Sequence, residues 1–281
     1  MPSNRLVFAL LPFSLCAADR VEVTAIDDTL GVNLKLPGLD GTLSLTLPEV
    51  INDGTRRIVY TDTNLKQVSW QKQPDGSISS SWRKPGLAAY ELSATPSSDG
   101  LLIKWTITNL EQAPWRDSSG NICMRSKGVK DLFDPTGERT FLRSQGKWVP
   151  VRDAWDQRGN TWFMPPGLEP LEIMRPHLAS GDWKMGRLRP DEGIIAVQSA
   201  DGRTVIAQAW HKSRYLIANI KENYACTESP PYFGDIGPGE TLQATAMIYC
   251  LRGGLADLES KYRADLKSGR IALSRKPAHT K

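Results

Sequence analysis

The chain has 281 residues, with 35 basic and 31 acidic side chains, and 40% of its residues are hydrophobic. This length and composition predict a globular protein with a sizeable core and exclude a disordered chain. The formal net charge of +4 is small, and basic and acidic residues are evenly interleaved along the chain, so no nucleic-acid partner is expected. Nine Trp and 19 Pro against only 3 His favour a β-rich protein and leave few ligands for a metal site.

The N-terminus has the pattern of an export signal. Arg5 precedes an apolar run at 6–15, and small residues follow as far as Ala18. We interpret 1–18 as a signal peptide, with a buried first strand as the alternative, and 19–281 as a single domain. No later run reaches the 18 apolar residues of a membrane span, and no glycosylation sequon occurs. A periplasmic or secreted bacterial protein is therefore predicted.

Short alternating or β-branched runs follow one another from Val21 to Thr108. Turn sequences such as Pro74-Asp75-Gly76 separate them at roughly ten-residue intervals, as in antiparallel sandwiches. The predicted strands here are 21–26, 31–36, 42–47, 57–61, 67–71, 77–82, 88–94 and 101–108.

The second half of the chain begins irregularly, because 109–192 is rich in Trp, Pro, Gly and paired charges. Strand patterns return at 193–199, 204–210 and 241–251. One amphipathic helix is predicted from Leu255 to Leu266, where apolar residues recur at helical spacing. The fold class is accordingly all-β and antiparallel, with one C-terminal helix.

Three cysteines remain after the predicted leader is removed: Cys123, Cys226 and Cys250. Their spacing fits no zinc or redox motif, and an exported chain with three cysteines has at most one internal disulfide. A Cys123–Cys226 bridge is one option that the sequence leaves open. Glycine-rich nucleotide loops, zinc-protease motifs and nucleophile elbows are all absent, so we expect no cofactor and no metal.

Three segments near the C-terminus carry a family resemblance. They are Trp210-His211, the stretch 226–235 that contains Glu228, and Pro238-Gly239-Glu240 before a long strand. Together with Ile107-Thr108-Asn109, these segments resemble the galactose mutarotase-like (aldose 1-epimerase) family. The resemblance implies a β super-sandwich, with Glu228 at the general-base position. The family's first catalytic histidine has no counterpart, because no histidine lies between Asn109 and Lys147.

A second likeness concerns shorter segments. Asn121-Ile122-Cys123 and Glu138-Arg139-Thr140-Phe141 are similar to segments of uncharacterised exported bacterial proteins. This likeness supports the fold and implies no reaction.

Four polar residues are candidates for chemistry, and each has an ordinary alternative. Glu228 is the predicted general base, or else a surface loop residue, and His211 is the acid/base partner or a cap on a sheet edge. Arg139 is predicted to clamp a carboxylate, or else to pair with a neighbouring acid. His177 is predicted to contact substrate from a loop, or else to have a structural role.

Trp148, Trp155 and Trp162 fall in one charged stretch. Their rings suit stacking on sugar C–H surfaces, and the alternative is that they fill a hydrophobic layer. The sequence thus predicts an exported carbohydrate-active protein that binds a sugar or oligosaccharide. A sugar epimerase or lyase that uses Glu228 and His211 is one hypothesis, and a non-catalytic carbohydrate-binding or structural sandwich is the other.

Overall fold

The computed structural model describes residues 20–26, 30–60, 65, 68–155 and 158–276. The predicted signal peptide, residues 1–18, lies outside the described residues. Two large sheets dominate the described part of the chain, and antiparallel pairing dominates in both.

The first sheet has ten described strands. They are β1 (Glu22–Ala25), β2 (Gly31–Lys35), β3 (Leu43–Asn52), β4 (Arg57–Tyr60), β9 (Trp115–Arg125), β12 (Gly159–Phe163), β13 (Trp183–Met185), β16 (Leu216–Lys221), β17 (Tyr224–Glu228) and β18 (Tyr232–Ile236). Their spatial order is β1-β2-β3-β9-β17-β16-β12-β13, with β4 paired to β3 and β18 paired to β9. The β12–β13 pair is parallel.

The second sheet also has ten described strands. They are β5 (Gln71–Lys72), β6 (Ile78–Lys84), β7 (Ala88–Ser97), β8 (Gly100–Asn109), β10 (Thr140–Ser144), β11 (Lys147–Pro150), β14 (Ile194–Gln198), β15 (Thr204–Trp210), β19 (Thr241–Arg252) and β20 (Ala272–Lys276). Their order is β11-β10-β14-β15-β19-β8-β7-β6-β5, with β20 paired to β19. The predicted all-β antiparallel sandwich is confirmed.

The main core lies between the two sheets and contains large aromatic side chains. Trp105, Trp115 and Trp210 are at most 1% exposed. On β9, a Cβ added to Gly120 would lie 2.2 Å from the Trp105 ring, so only glycine lets the strand approach this side chain. The packing of Trp105 therefore determines which residue β9 can carry at this point.

The described residues form two α-helices, α1 (Arg175–Ser180) and α2 (Leu255–Ser268). Helix α2 is the C-terminal helix that the apolar periodicity predicts. It begins where the Asp257 carboxylate accepts a hydrogen bond from the Gly254 N–H, and it ends at Gly269 in the left-handed conformation. Leu258 and Tyr262 are buried against the outer face of the second sheet. No helix of the described residues is long and apolar enough to cross a membrane.

The stretch 109–192 is more regular than its composition suggested, since β9 to β13 lie in it. Strand β9 was missed because Ser118, Ser119 and Asn121 are polar yet buried, which removes the usual alternation. Of the predicted strand 67–71, the structure describes residues 68–71, and of these only residue 71 belongs to a strand. Short 3-10 helices occupy Lys130–Leu132, Val151–Ala154 and Glu172–Met174.

Residues 164–182, here called the cap segment, cover part of the outer face of the first sheet. Met164, Leu171 and Met174 pack there against Trp162, Tyr215 and Ile217. The Glu172 N–H donates to the Gly54 carbonyl, and the Arg214 guanidinium donates to the Glu169 carbonyl. Arg214 also forms a bidentate pair with Asp117, so the cap segment is attached to the sheet at defined points.

Candidate functional site

A cavity of about 190 Å³ lies between the outer face of the first sheet and the cap segment. Strands β3, β4, β9, β12, β13, β16 and β17 all contribute to it. Its lining residues are Glu49, Val50, Asn52, Arg57, Tyr60, Asn121, Trp162, Ile173, Met174, His177, Trp183, Tyr215, Ile217 and Glu228.

Glu228 lies at the centre of the sheet, in the last position of β17, rather than in the exposed loop suggested as its ordinary alternative. It pairs in register with Ile217 on β16, and only 5% of it is exposed. The Asn121 amide on β9 donates a hydrogen bond to Glu228 Oε2. The carboxyl is therefore held in one orientation against the cavity.

Glu49 brings a second carboxyl group to the same place. Strand β3 pairs with β9 at Thr46–Cys123 and next at Val50–Asn121. Residues 47–49 of β3 therefore lie opposite a single residue of β9, so Glu49 lies in a bulge of β3. Bulges commonly redirect a side chain beside a functional site. A side-chain hydrogen bond joins Glu49 to Glu228.

The pKa of Glu228 is raised well above its ordinary value. Burial is the main cause, and the charge of Glu49 and the hydrogen bond to it act in the same direction. The hydrogen bond from Asn121 and the charge of Arg125 oppose the rise without cancelling it. Two carboxyl groups this close do not both ionise readily, so the pair shares a proton.

A chain of polar groups orients Asn121. The Tyr215 hydroxyl donates to Asn121 Oδ1 at 2.8 Å, and the Asn52 amide donates to the Tyr215 oxygen at 3.4 Å. Burial and the nearby Glu228 charge raise the pKa of Tyr215, so its hydroxyl stays protonated as a donor. Because Asn121 accepts from Tyr215, its amide nitrogen faces Glu228.

Aromatic rings form one wall of the cavity. The Trp162 and Trp183 rings stack with centroids 4.2 Å apart and an interplanar angle of 18°. The His177 ring is tilted against Trp162 at 6.3 Å. Aromatic rings and a carboxyl pair in one cavity suit a ligand with one C–H face and one hydroxyl face.

Cys123 and Cys226 form a disulfide that links β9 to β17 next to the carboxyl pair. Cys226 Sγ lies 3.6 Å from Glu228 Oε1. The two sulfurs and the Glu228 carboxylate lie within 4.8 Å of one another, which is close enough for a shared metal ion. Bonded sulfurs offer no thiolate, so these residues do not form such a site while the disulfide is intact.

The structure brings three of the residues singled out from the sequence into this cavity: Glu228, Trp162 and His177. His211 is not among the residues that line it, and it is exposed just after β15 in the second sheet. Arg139 also lies elsewhere, and its guanidinium donates to the carbonyls of Asp131, Phe133 and Gln198. That arrangement secures a loop of the second sheet.

The other two predicted tryptophans contribute to packing. Trp148 on β11 lies beneath the Arg143 guanidinium, 5.4 Å from its ring centroid, and packs at the edge of the helix α2 cluster. Trp155 is 7% exposed and belongs to a core cluster between the sheets. Neither ring lines the cavity that contains Glu228.

Sequence reasoning missed Glu49, Arg57 and Tyr215 as site residues. A signal for Glu49 was present, since a glutamate in the apolar run Leu47-Pro48-Glu49-Val50 breaks the strand pattern. Nothing in the local sequence distinguishes Arg57, at the start of β4, or Tyr215, just before β16, from ordinary residues of a β-rich chain. Only the pairing of β3, β4, β9 and β16 brings them together.

No protein-family model and no curated protein matches the chain. Solved structures do match it. One is a galactose mutarotase-like protein from Lactobacillus casei, with 7% identity, a TM-score of 0.43, and coverage of 82% of this chain and 100% of the other. Another is a galactose mutarotase related enzyme from Lactobacillus acidophilus, with 7% identity, a TM-score of 0.43, and coverage of 82% and 98%. A putative aldose 1-epimerase from Escherichia coli K12 has 9% identity, a TM-score of 0.45, and coverage of 83% and 99%. These structural neighbours are galactose mutarotase-like and aldose 1-epimerase proteins.

Proposed function

We propose that this protein is a carbohydrate-active enzyme that transfers protons at a sugar ring, with epimerisation as the reaction. The observation that carries the proposal is a single cavity that contains the hydrogen-bonded Glu49–Glu228 pair, with Glu228 buried, and the stacked Trp162 and Trp183 rings. Strongly shifted carboxyl groups in a cleft are typical of acid/base sites. The resemblance of the 226–235 segment to mutarotase-like proteins supports the same role for Glu228.

A pair of carboxyl groups with one shared proton provides both an acid and a base. In the proposed reaction, the ionised carboxylate accepts the proton of the anomeric hydroxyl while the protonated carboxyl donates its proton to the ring oxygen. The bond between the anomeric carbon and the ring oxygen breaks, and an aldehyde forms. Rotation about the adjacent C–C bond and reversal of both transfers close the ring as the other anomer. The proton count of the pair is unchanged.

The cavity size favours one sugar ring. Pockets for drug-sized ligands usually measure about 300–1,000 Å³, whereas this cavity measures about 190 Å³. A monosaccharide, or the terminal unit of an oligosaccharide, is the proposed substrate. Its C–H face would stack on Trp183 or Trp162, and its anomeric centre would face Glu228.

Binding without turnover is the second candidate function, and the stacked tryptophans favour it. Burying a carboxyl group such as Glu228 beside a second one is costly, and sugar binding alone does not require it. For this reason the enzyme hypothesis is preferred. His211 has no part in it, because His211 does not line the cavity.

The experiment is a screen of mono- and disaccharides for anomer exchange by NMR, which also detects the unsaturated product of a lyase. We expect Glu228→Gln to lower turnover about 10²–10⁴-fold while the fold is retained, because it removes the proton carrier at nearly constant shape. The matched control is Glu222→Gln, an exposed glutamate in the same β16–β17 hairpin. Full activity of Glu228→Gln on a confirmed substrate would contradict the acid/base role.

We also propose that the protein is exported to the bacterial periplasm or beyond. The bonded Cys123–Cys226 pair supports this, since disulfides persist in oxidising compartments. Mass spectrometry after expression in a bacterium should detect a mature chain that begins near Asp19. Recovery of only full-length protein, in the cytoplasm, would contradict export.

A further inference from the structure

The cavity contains a cationic side chain, Arg57, that takes no part in the proposed reaction. It lies at the start of β4, paired in register with Asn52 on β3, and it lines the same cavity as Glu228. Its guanidinium carbon lies 5.2 Å from the centroid of the Tyr60 ring, so the aromatic face supports the charged group. Among the described residues, no carboxylate forms an ion pair with Arg57.

The two carboxyl groups of the cavity are already engaged with each other. Glu49 and Glu228 share a hydrogen bond, and Asn121 donates to Glu228 as well. A guanidinium presents a planar fork of N–H donors that matches a carboxylate or phosphate group. Because Arg57 is exposed and supported by Tyr60, that fork is available to a ligand in the cavity.

A second cavity adjoins the first, and most of its charged lining residues are cationic. It measures about 530 Å³ and shares His177 and Trp183 with the cavity that holds Glu228. Among its described lining residues, three are cationic and one, Asp182, is a carboxylate; the cationic ones are Arg158, Lys184 and Lys221. A ligand that extends past Trp183 from the first cavity therefore enters positively charged surroundings.

We propose that the substrate is a sugar with an anionic substituent, a carboxylate or a phosphate, and that Arg57 binds this substituent. This inference rests on the proposed function, because it names the substrate class of the same cavity. Arg57 holds the anionic end of the sugar while the ring lies between the Trp162–Trp183 wall and the carboxyl pair. Its positive charge also offsets the negative charge that the ionised member of the pair and the substrate bring together.

The test compares the binding of glucuronate, glucose 6-phosphate and glucose by calorimetry at low and high salt. We expect one of the anionic sugars to bind about tenfold or more tightly than glucose, since a charge-assisted hydrogen bond contributes that much. The preference should weaken at high salt. Comparison of the two anionic sugars identifies the substituent.

Variants then assign the preference to Arg57. Arg57→Gln should reduce the ratio of anionic to neutral affinity to about one, and Arg57→Lys should restore part of it because the charge returns without the fork. The control is Arg83→Gln, which alters an exposed arginine on β6 of the other sheet. Thermal unfolding of each variant confirms that the compared proteins are folded.

Three outcomes would overturn the inference, and only the last of them also overturns the proposed function. If glucose binds or reacts as well as the anionic sugars, the substrate class is wrong and the proposed function stands. If folded Arg57→Gln still prefers anionic sugars over glucose, Arg57 does not bind the anionic substituent, and the proposed function stands. If no sugar of either class binds or reacts, the proposed function fails and this inference fails with it.

Discussion

The carboxyl pair of the first sheet and the acids beside helix α2 each include one buried member, Glu228 and Asp265, yet their surroundings differ. Asp99 accepts hydrogen bonds from Arg270, Lys261 and Ser97. Burial raises the pKa of Asp99, but the bonds from Arg270, Ser97 and Lys261 outweigh burial and hold it well below its ordinary value. Asp265 is 4% exposed and accepts bonds from Lys261 and from the Tyr249 hydroxyl.

Glu228 has the opposite surroundings. Its neighbours are another carboxyl group, a neutral amide and a neutral phenol, and the charge of Arg125 only partly compensates for its burial. Close cations keep Asp99 ionised and fasten helix α2 to the end of β7, whereas their scarcity keeps a proton on the Glu49–Glu228 pair. The difference separates an acid that stabilises the fold from an acid placed to exchange a proton.

The largest expected effect, on turnover, comes from substituting Glu49, the partner of Glu228 in the carboxyl pair. Glu49→Gln should lower turnover about 10²–10⁴-fold, since one of the two proton carriers is lost. Removing the Glu49 charge also removes one cause of the raised Glu228 pKa. The limb of the pH–rate profile that reports Glu228 ionisation should therefore move to lower pH. The measurement is the turnover of Glu49→Gln and of the wild type on a confirmed sugar substrate as a function of pH.

The control for that experiment is Glu22→Gln, the same change at an exposed position of β1 in the same sheet. It should leave both turnover and the pH profile unchanged. If Glu49→Gln keeps wild-type turnover and the same profile, the two carboxyl groups do not act as a pair.

A smaller effect, on stability alone, is expected at the contrasting site. Asp99→Asn should lower the free energy of unfolding by about 1.5–3 kcal/mol, because the charged hydrogen bonds from Arg270 and Lys261 are lost. The pKa of Asp99 is depressed in the folded state. Its contribution is therefore present above the unfolded-state pKa, near 3.9, and is lost as pH falls through the folded-state value. Wild type and variant should converge in acid.

Urea unfolding at several pH values measures this difference, with the exposed Asp40→Asn as the control. Sugar binding should not change in either variant, because Asp99 lies away from the cavity residues. A loss of sugar affinity in folded Asp99→Asn would show that the two acid groups are not independent.

Much of the fold could be predicted from the sequence where a strand has one apolar and one polar face. Strands β7 and β8 and the first half of β19 show that alternation, and a turn sequence separates β7 from β8. Strand β15 is instead a mostly apolar run that is buried on both faces. Strand β9 could not be found in this way, since its residues from Ser118 to Met124 are buried on both faces although three of them are polar. Its assignment depends on contacts that are distant in sequence.

The candidate site was predictable only in part, for the same reason. Glu228 stood out through a resemblance, and Trp162 and His177 through their residue types. Their meeting depends on the cap segment folding back over the sheet, which no local pattern encodes. His211 follows β15 of the second sheet, where it is exposed and does not line the cavity that contains Glu228, so its closeness to Glu228 in sequence did not make it a site residue.

Strand β9 connects the interior of the protein to the site by a very short path. Gly120 faces the Trp105 ring on one side of the strand, and the next residue, Asn121, donates to Glu228 on the other. The sandwich interior and the acid/base pair are therefore mechanically coupled through one peptide unit. Substitutions that resize the side chain at Trp105 offer a means of retuning the orientation of Glu228 without altering any group that the sugar meets.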